Sequence, residues 1–352
     1  MSQPIIVESA ARIAVRRLHA GERARWDAFV HSCPNATFFH LSGWQQVIEQ
    51  AMGHETHYLY AEDGGDIVGV LPLGHVRSRL FGQALVSTPF CVYGGIASVR
   101  ADVHAALEAA ACALARQLGV GYLEMRNLTS RHDGWPKKEL YVTFRKPIDP
   151  NPEINLAAIP RKQRAMVRKG IDAGLTSAID DDVKRVYDVY ADSVRRLGTP
   201  VFSKRYFTAL RQVFGPACEL LTVTHANQVV SGVLSFYFRD QVLPYYGGGT
   251  SAARAVAGND FLYWELMRRA AERGVRLFDY GRSKVGAGSY HFKKNWGFVP
   301  APLHYEYHLI ESRTVPDINP LNPKYRVFVE AWKRMPLPVT KSLGPWIARN
   351  LG

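Results

Sequence analysis

Two neighbouring stretches late in the sequence hold the residue types from which a reactive site could be built. Phe278-Asp-Tyr-Gly-Arg-Ser-Lys284 reads as a buried strand running into a polar turn. On such a strand Asp279 could orient an amine or take its proton after attack; its other reading is a buried carboxylate paired with Arg282 or set at a helix N-terminus. Gly281 lets the chain turn sharply, and Arg282 with Ser283 offers donors to a phosphate or a carboxylate. The next run, Val285-Gly-Ala-Gly-Ser-Tyr-His-Phe-Lys-Lys-Asn-Trp-Gly297, opens on a loop with two glycines and then mixes aromatic and cationic side chains. Read as extended chain, it sends adjacent residues to opposite faces, which separates Lys293 from Lys294. No nucleophile is evident. Cys218 precedes a strand without a catalytic partner, and Ser231-Gly-Val-Leu-Ser is not a strand-turn-helix elbow. The 12 His show no metal-ligand spacing, so no metal is expected.

The elements that must position these residues occur twice, roughly 160 residues apart. The first copy runs Asp66-Ile-Val-Gly-Val-Leu-Pro-Leu, Val92-Tyr-Gly-Gly, a helical stretch and Gly119-Val-Gly-Tyr-Leu-Glu124. The second runs Gln228-Val-Val-Ser-Gly-Val-Leu-Ser-Phe, Tyr245-Tyr-Gly-Gly, a helical stretch and Gly274-Val-Arg-Leu-Phe-Asp279. Each begins as a hairpin of β-branched runs, Tyr58 to Ala61 with Ile67 to Leu73, and Leu220 to Thr224 with Val229 to Phe238. Helices are predicted over Ala101 to Leu118 and, behind an Asn cap, Asn259 to Arg273, each stopped by a glycine. Strands Tyr122 to Met125 and Arg276 to Tyr280 return. The result is a mixed α/β (α+β) unit, duplicated. Three prolines between Pro147 and Pro152 mark the boundary, giving domains 1–150 and 151–312, with a helical insertion from Ile154 to Phe214 and a tail over 313–352. The insertion starts with Arg161, Lys162, Arg164, Arg168 and Lys169, a pattern that a solvated helix face also produces.

The chain has 352 residues, enough for two domains, and its 44 Lys and Arg against 31 Asp and Glu give a net charge of +13. Such a surface attracts polyanions: nucleotides, transfer RNA, nucleotide-sugar lipids or anionic membranes. Four separated Cys without a CxxC pair suggest neither a zinc site nor a disulfide framework. Without a signal sequence or 18 consecutive apolar residues, the expected location is the cytoplasm, at the inner membrane face if the tail anchors there. In that tail, Tyr325, Phe328, Val329 and Trp332, then Val339, Leu343, Trp346 and Ile347, fall on single helical faces beside Lys324, Arg326, Lys333, Arg334, Lys341 and Arg349. The faces suit either packing on the second domain or an interfacial membrane anchor.

Five stretches in order, Ile159-Pro-Arg-Lys-Gln-Arg, Tyr245-Tyr-Gly-Gly-Gly-Thr-Ser, Asn259-Asp-Phe-Leu-Tyr-Trp-Glu, Phe278-Asp-Tyr-Gly-Arg-Ser-Lys and Tyr290-His-Phe-Lys-Lys-Asn-Trp-Gly-Phe, resemble the FemAB/FemX-related acyltransferases. They are most similar to FemAB-like proteins of PEP-CTERM and exopolysaccharide systems. The similarity runs from about Trp26 to about His308 and includes the aromatic segment Asn35 to Trp44.

The resemblance implies two tandem GNAT-like domains and an N-acyltransferase or aminoacyltransferase that acts on an amine of a small-molecule or lipid-linked envelope precursor. It further implies direct attack by the amine, without an enzyme-bound intermediate and without a tightly bound cofactor. Lys293, in the family's Phe-Lys pair, becomes the candidate for stabilising the oxyanion, ahead of Lys294 and His291. Asp279 joins it as the second catalytic candidate. Phe292 would stack on a terminal adenine or position the acyl group. Tyr246 and Gly248 would lie where a GNAT sheet splays to admit its donor, and Arg282 and Ser283 would bind substrate. Arg161, Lys162 and Arg164 would clamp a phosphorylated substrate or RNA. Where a GNAT domain holds pyrophosphate on an Arg/Gln-x-x-Gly-x-Gly/Ala loop, this chain has Arg254-Ala-Val-Ala-Gly-Asn259; a glycine position is taken by Ala257 or by Asn259, according to register. That favours aminoacyl-tRNA over acyl-CoA as donor, with Asn259 among the substrate contacts. The first copy has no counterpart of the Lys293 loop, so catalysis is expected in the second.

Overall fold

The computed structural model describes residues 13–78, 82–315 and 326–351. Tyr325 and Lys324 of the tail pattern, and the first residues of the chain, lie outside them. There are two compact units: the first holds the chain to Glu139 together with Pro302–Asp317, and the second holds Leu140–Ala301 with Ile318–Arg349.

The first unit contains, in chain order, β1 (Ala14–Arg17), α1 (Arg23–Ser32), α2 (Gly43–Val47), β2 (Glu55–Thr56), β3 (Leu59–Asp63), β4 (Asp66–Leu71), β5 (Gly74–Ser78), β6 (Gly82–Ser87), α3 (Ala101–Gln117), β7 (Tyr122–Asn127) and β8 (Lys137–Lys138). The second contains β9 (Tyr141–Pro147), α4 (Pro152–Ala158), α5 (Arg161–Asp172), β10 (Thr176–Ile179), α6 (Val183–Arg196), α7 (Lys204–Phe214), β11 (Cys218–His225), β12 (Gln228–Phe238), β13 (Gln241–Gly249), α8 (Ser251–Ala255), α9 (Gly258–Glu272), β14 (Leu277–Lys284), α10 (Gly288–Asn295) and β15 (Pro300–Pro302). The chain then returns to the first unit as β16 (His304–Leu309) and ends with α11 (Arg326–Arg334) and α12 (Leu337–Ala348).

Both predicted hairpins form, as antiparallel β3–β4 and β11–β12. So do both crossovers: α3 leads from β6 to a parallel β7, and α8 with α9 leads from β13 to a parallel β14. Gly119 and Gly274 take the left-handed conformation at the helix ends, as their positions suggested. The units differ in how the sheet is built. In the second, β10-β11-β12-β13-β14-β9-β15 is one sheet; in the first, β1-β3-β4 is separate from β2-β5-β6-β7-β16-β8. Val92-Tyr-Gly-Gly lies outside the strands, whereas Tyr245-Tyr-Gly-Gly is part of β13, so this pair of similar tetrapeptides has two different settings.

The proline-rich stretch opens α4 inside the second unit. β9, which precedes it, pairs with β14 from Leu277↔Pro147 to Lys284↔Tyr141, and this pairing ties Tyr141–Pro147 to the second core, where Val142, Phe144 and Ile148 pack with Phe278, Trp296 and Phe298. In the first unit, β16 zips along β7 from His304↔Asn127 to Leu309↔Tyr122.

Candidate active site

The second unit has a gap at the centre of its sheet. Parallel β13 and β14 are paired only at Gln241↔Leu277 and Val242↔Phe278. The sequence supplies the reason on both sides. Pro244 has no N–H to give a ladder, and β13 bulges against β12 between Leu234 and Ser235. On β14 the register with β9 slips between Asp279 and Arg282, where Gly281 adopts φ +61°. The carboxyl ends of two central parallel strands therefore part, leaving backbone groups of Tyr245–Gly249 and Tyr280–Lys284 without each other as partners. Such an opening is where α/β sheets take ligands.

Lys293 secures the β14 side. It lies on the helix α10, not on the extended segment expected from sequence, so Lys294 and His291 are separated from it by helical rotation. Its side chain is buried, and Nζ donates to the carbonyl oxygens of Tyr280 (2.7 Å), Gly281 (3.2 Å) and Arg282 (3.1 Å). The rings of Phe144 and Tyr280 flank the ammonium at 5.6 and 5.7 Å. Burial pushes its pKa down to about 7, Asp279 works against that fall and Arg282 adds to it. Three carbonyls also favour the ammonium form. In this arrangement all three N–H donors are engaged by the bulge, so Lys293 positions the strand end and does not present a donor to an oxyanion. The role expected from sequence, at an oxyanion, is a different one.

Asp279 is likewise engaged. Oδ1 accepts from the Gly281 N–H at 2.7 Å and Oδ2 faces Arg145 Nε at 3.2 Å. The carboxylate thus fixes the bulge from a fully buried position, with Arg145 as a cation beside it. Arg282 lies with its guanidinium 4.6 Å from the Tyr141 ring centre. Ser283 is buried with no hydrogen-bond partner for Oγ, an orphan polar atom on the strand that borders the gap.

Across the gap, α9 meets the glycines of β13. A Cβ at Gly247 would be 2.7 Å from Tyr263 Oη, and one at Gly249 would be 2.3 Å from Asn259 Oδ1. Gly247 and Gly249 share one strand face, and Asn259 and Tyr263 share one helix face, so the match is one of spacing. A Cβ at Gly248, on the opposite face, would meet Ser193 of α6 at 2.5 Å. Gly248 is therefore required for packing between sheet and helix. Gly249→Ala should destabilise the unit by about 1–3 kcal/mol, and Asn259→Ala in the same chain should recover most of the loss; denaturant unfolding of the single and double variants measures both.

Two tyrosines that the sequence did not single out complete the lining. Tyr263 has its ring 5.1 Å from that of Tyr280 and 5.5 Å from Phe292. Tyr280 is buried and its hydroxyl has no hydrogen-bond partner. Burial pushes the Tyr263 phenol up to about 12 and the Tyr280 phenol well above its ordinary value, so both stay protonated at neutral pH. Phe292 is half-buried in this cluster, with Trp296 6.0 Å away. The i, i+4 step from Asn259 to Tyr263 opposite alternating glycines is the signal that would have found them.

The other expected contacts lie elsewhere in the unit. Tyr246 points into an aromatic core with Tyr190, Phe202 and Phe207, and its hydroxyl pairs with that of Tyr206 at 2.9 Å, so packing accounts for it. Arg161 and Lys162 are exposed at the start of α5, a different element from α10, and Arg164 Nη1 is bonded to the Ala157 carbonyl at 2.7 Å. Asn259 is not the helix cap: Ala257 holds that position with φ +54°, no side chain caps the helix, and Asn259 is in its first turn with Oδ1 unpartnered. Asp260 also lies in that turn, accepts from Trp296 Nε1 at 3.0 Å, and burial raises its pKa. In the first unit the corresponding strand pair is closed. β6 and β7 pair at four positions, and beyond them the buried Arg126 guanidinium donates to the carbonyls of Thr88 (3.3 Å) and Cys91 (2.7 Å) while held by Glu124 at 2.7 Å.

Comparison with known proteins agrees with this geometry. Residues 159–294 match the family model described as an acetyltransferase (GNAT) domain. A crystal structure of FemX superposes with a TM-score of 0.68 at 16% identity, covering 89% of this chain and 100% of that one. A tandem GNAT protein from the clavulanic acid biosynthesis pathway gives 0.52 at 15% identity, covering 84% and 97%, and L-PGS from Bacillus licheniformis gives 0.53 at 14%, covering 89% and 97%. No curated protein sequence matches this one. Identities this low establish the fold alone. The chain thus has the fold of FemX and of the tandem GNAT protein, and residues 159–294, in its second unit, are similar to GNAT acetyltransferase domains.

Proposed function

We propose that the protein transfers an acyl or aminoacyl group to an amine of a cell-envelope or exopolysaccharide precursor, in the cytoplasm at the inner membrane face, as in PEP-CTERM-associated systems. The observation that carries this reading is the parted β13–β14 pair, held open by the Pro244 bulge on one side and the Lys293-clamped bulge on the other. Backbone N–H groups on the open edge of β13 polarise the acyl carbonyl, and the incoming amine attacks it directly. The C–N bond forms as the bond from the acyl carbon to the donor's leaving oxygen or sulfur breaks. The proton that the attacking nitrogen loses passes to that leaving atom through the Tyr263 hydroxyl, which gives its own proton as it takes the amine's and ends as the phenol it began.

The reading favours an aminoacyl-tRNA donor over acyl-CoA. Pyrophosphate binding at a helix start needs bare amides and an unopposed positive field. Here the αL position is an alanine and the first turn of α9 already contains Asp260. The exposed cations Arg161, Lys162, Arg168 and Lys169 of α5 suit an RNA backbone. In the tail, Val339, Leu343 and Trp346 form an exposed apolar face suited to a lipid surface close to a lipid-linked acceptor. No helix among the described residues is long and apolar enough to cross a membrane.

The match to an acetyltransferase domain model supports a second donor, acyl-CoA or acyl-carrier protein. Thermal unfolding with CoA and filter binding with tRNA at rising salt separate the two. A tRNA complex that weakens steeply with salt, with no shift from CoA, is the expected result. Stabilisation by CoA with no tRNA complex would overturn the preferred donor.

A further inference from the structure

We infer that the first unit holds a divalent transition-metal ion, of the Zn²⁺ class, between β2 and β5, with Glu55, His57 and His75 as its ligands. Glu55 stands directly opposite His75 in the β2–β5 pairing, and the His57 N–H bonds to the Leu73 carbonyl at 2.8 Å, so the ladder brings all three to one place. One ligand atom from each lies within 4.8 Å of the other two. The sequence spacing, two residues and then eighteen, hides this from motif reading.

Two observations point to a cation. His57 and His75 are 3% and 4% exposed, yet His57 Nε2 and His75 Nδ1 are both buried without a hydrogen-bond partner. Orphaned ring nitrogens at that depth are uncommon, and here they lie beside a carboxylate, with Glu55 Oε1 3.6 Å from His57 Nε2. The second observation concerns the tautomer. His75 Nε2 is bonded to Gln83 Oε1 at 2.9 Å, an acceptor, so Nε2 carries the hydrogen and Nδ1 carries the lone pair. Two imidazoles and one carboxylate form a donor set suited to Zn²⁺, with a fourth position left for water. The ion would staple the two-residue β2 onto the edge of its sheet.

Arg17 supplies a built-in competitor. Its Nη2 contacts His57 Nδ1, which holds that nitrogen as an acceptor and leaves the proton on Nε2. Metal binding at Nε2 needs the other tautomer, so the exposed Arg17 side chain must turn away.

Co²⁺ titration of the full chain, stripped with chelator, tests the site. One equivalent should give the visible absorption of a low-symmetry Co²⁺ centre that Zn²⁺ displaces, and Glu55→Gln, an exposed position expected to fold, should weaken binding at least tenfold. Arg17→Ala should tighten it, and His57→Gln with His75→Gln should abolish it. Absence of the band, unchanged affinity in Glu55→Gln, or weaker binding in Arg17→Ala would each overturn the site.

Discussion

Lys293→Met should lower the rate of transfer by at least about 100-fold and should not be rescued by arginine. The methionine keeps the bulk of the side chain between Phe144 and Tyr280 but leaves the carbonyls of Tyr280, Gly281 and Arg282 without their common donor. Each orphaned carbonyl costs about 1–3 kcal/mol, partly offset because a charge is no longer buried; a net loss of roughly 2–4 kcal/mol is expected. The bulge that these carbonyls define also sets the width of the gap, and a shift of about 1 Å at a reacting centre costs about 100-fold. Arginine has a planar fork that cannot reproduce one nitrogen facing three oxygens. The pH dependence gives an independent check. An ammonium whose pKa is about 7 in the fold, against an ordinary 10.5, is protonated more readily in the unfolded chain between those values. Stability of the wild type relative to Lys293→Met should therefore be flat below pH 7 and rise from about 7 towards 10. A variant with normal transfer and unchanged stability would show that Lys293 does not clamp the strand, whereas a stability difference independent of pH would show that the three carbonyls offset the burial of the ammonium.

This changes what the sequence could say about the site. The hairpin-crossover-strand repeat was legible because β-branched runs, glycine stops and an Ala-rich helix each follow from local physics. The stretch around Lys293 was legible as important and misread as extended, because alternating aromatic and cationic residues over so short a run fit a strand and a helix face equally well. What decides is tertiary: the helix places Phe292 on Tyr263 and Lys293 on the β14 carbonyls. The partners of Asp279 were equally hidden, since Arg145 reaches it only because β9 pairs with β14 over a separation no motif spans. Tyr246 has a setting that the sequence did not reveal. A tyrosine beside three glycines looks like part of a binding strand, but strand alternation sends it to the α6–α7 side, where a hydroxyl pair and four rings enclose it. Tyr263 and Tyr280 lie inside two of the matching stretches but had no role read from them, and became visible through the space that Gly247 leaves and the hydroxyl of Tyr280 that nothing satisfies.

Vesicle binding by the tail is the second large effect, and its logic comes from which face of α12 is spent on packing. Thr340, Gly344 and Ala348 are buried, and a Cβ at Gly344 would be 2.9 Å from the Val201 amide, so α12 docks through its small residues. Lys341 bonds Asp188 at 2.5 Å and Arg195 bonds the Lys333 carbonyl at 2.9 Å, which ties the two tail helices to α6. Docking in this way leaves Val339, Leu343 and Trp346 outward at 41%, 48% and 60% exposure. A globular unit has no use for that face in water, and a lipid interface would bury it, with the chain's +13 charge adding attraction to anionic headgroups. Burying the three side chains should contribute roughly 3–5 kcal/mol. Val339→Ser, Leu343→Ser and Trp346→Ser together should then reduce partitioning onto phosphatidylglycerol-containing vesicles by about 100-fold or more, with little change in unfolding temperature because none of the three is on the docked face. Equal partitioning of variant and wild type in a flotation assay would remove the membrane from the proposal and leave a soluble acceptor.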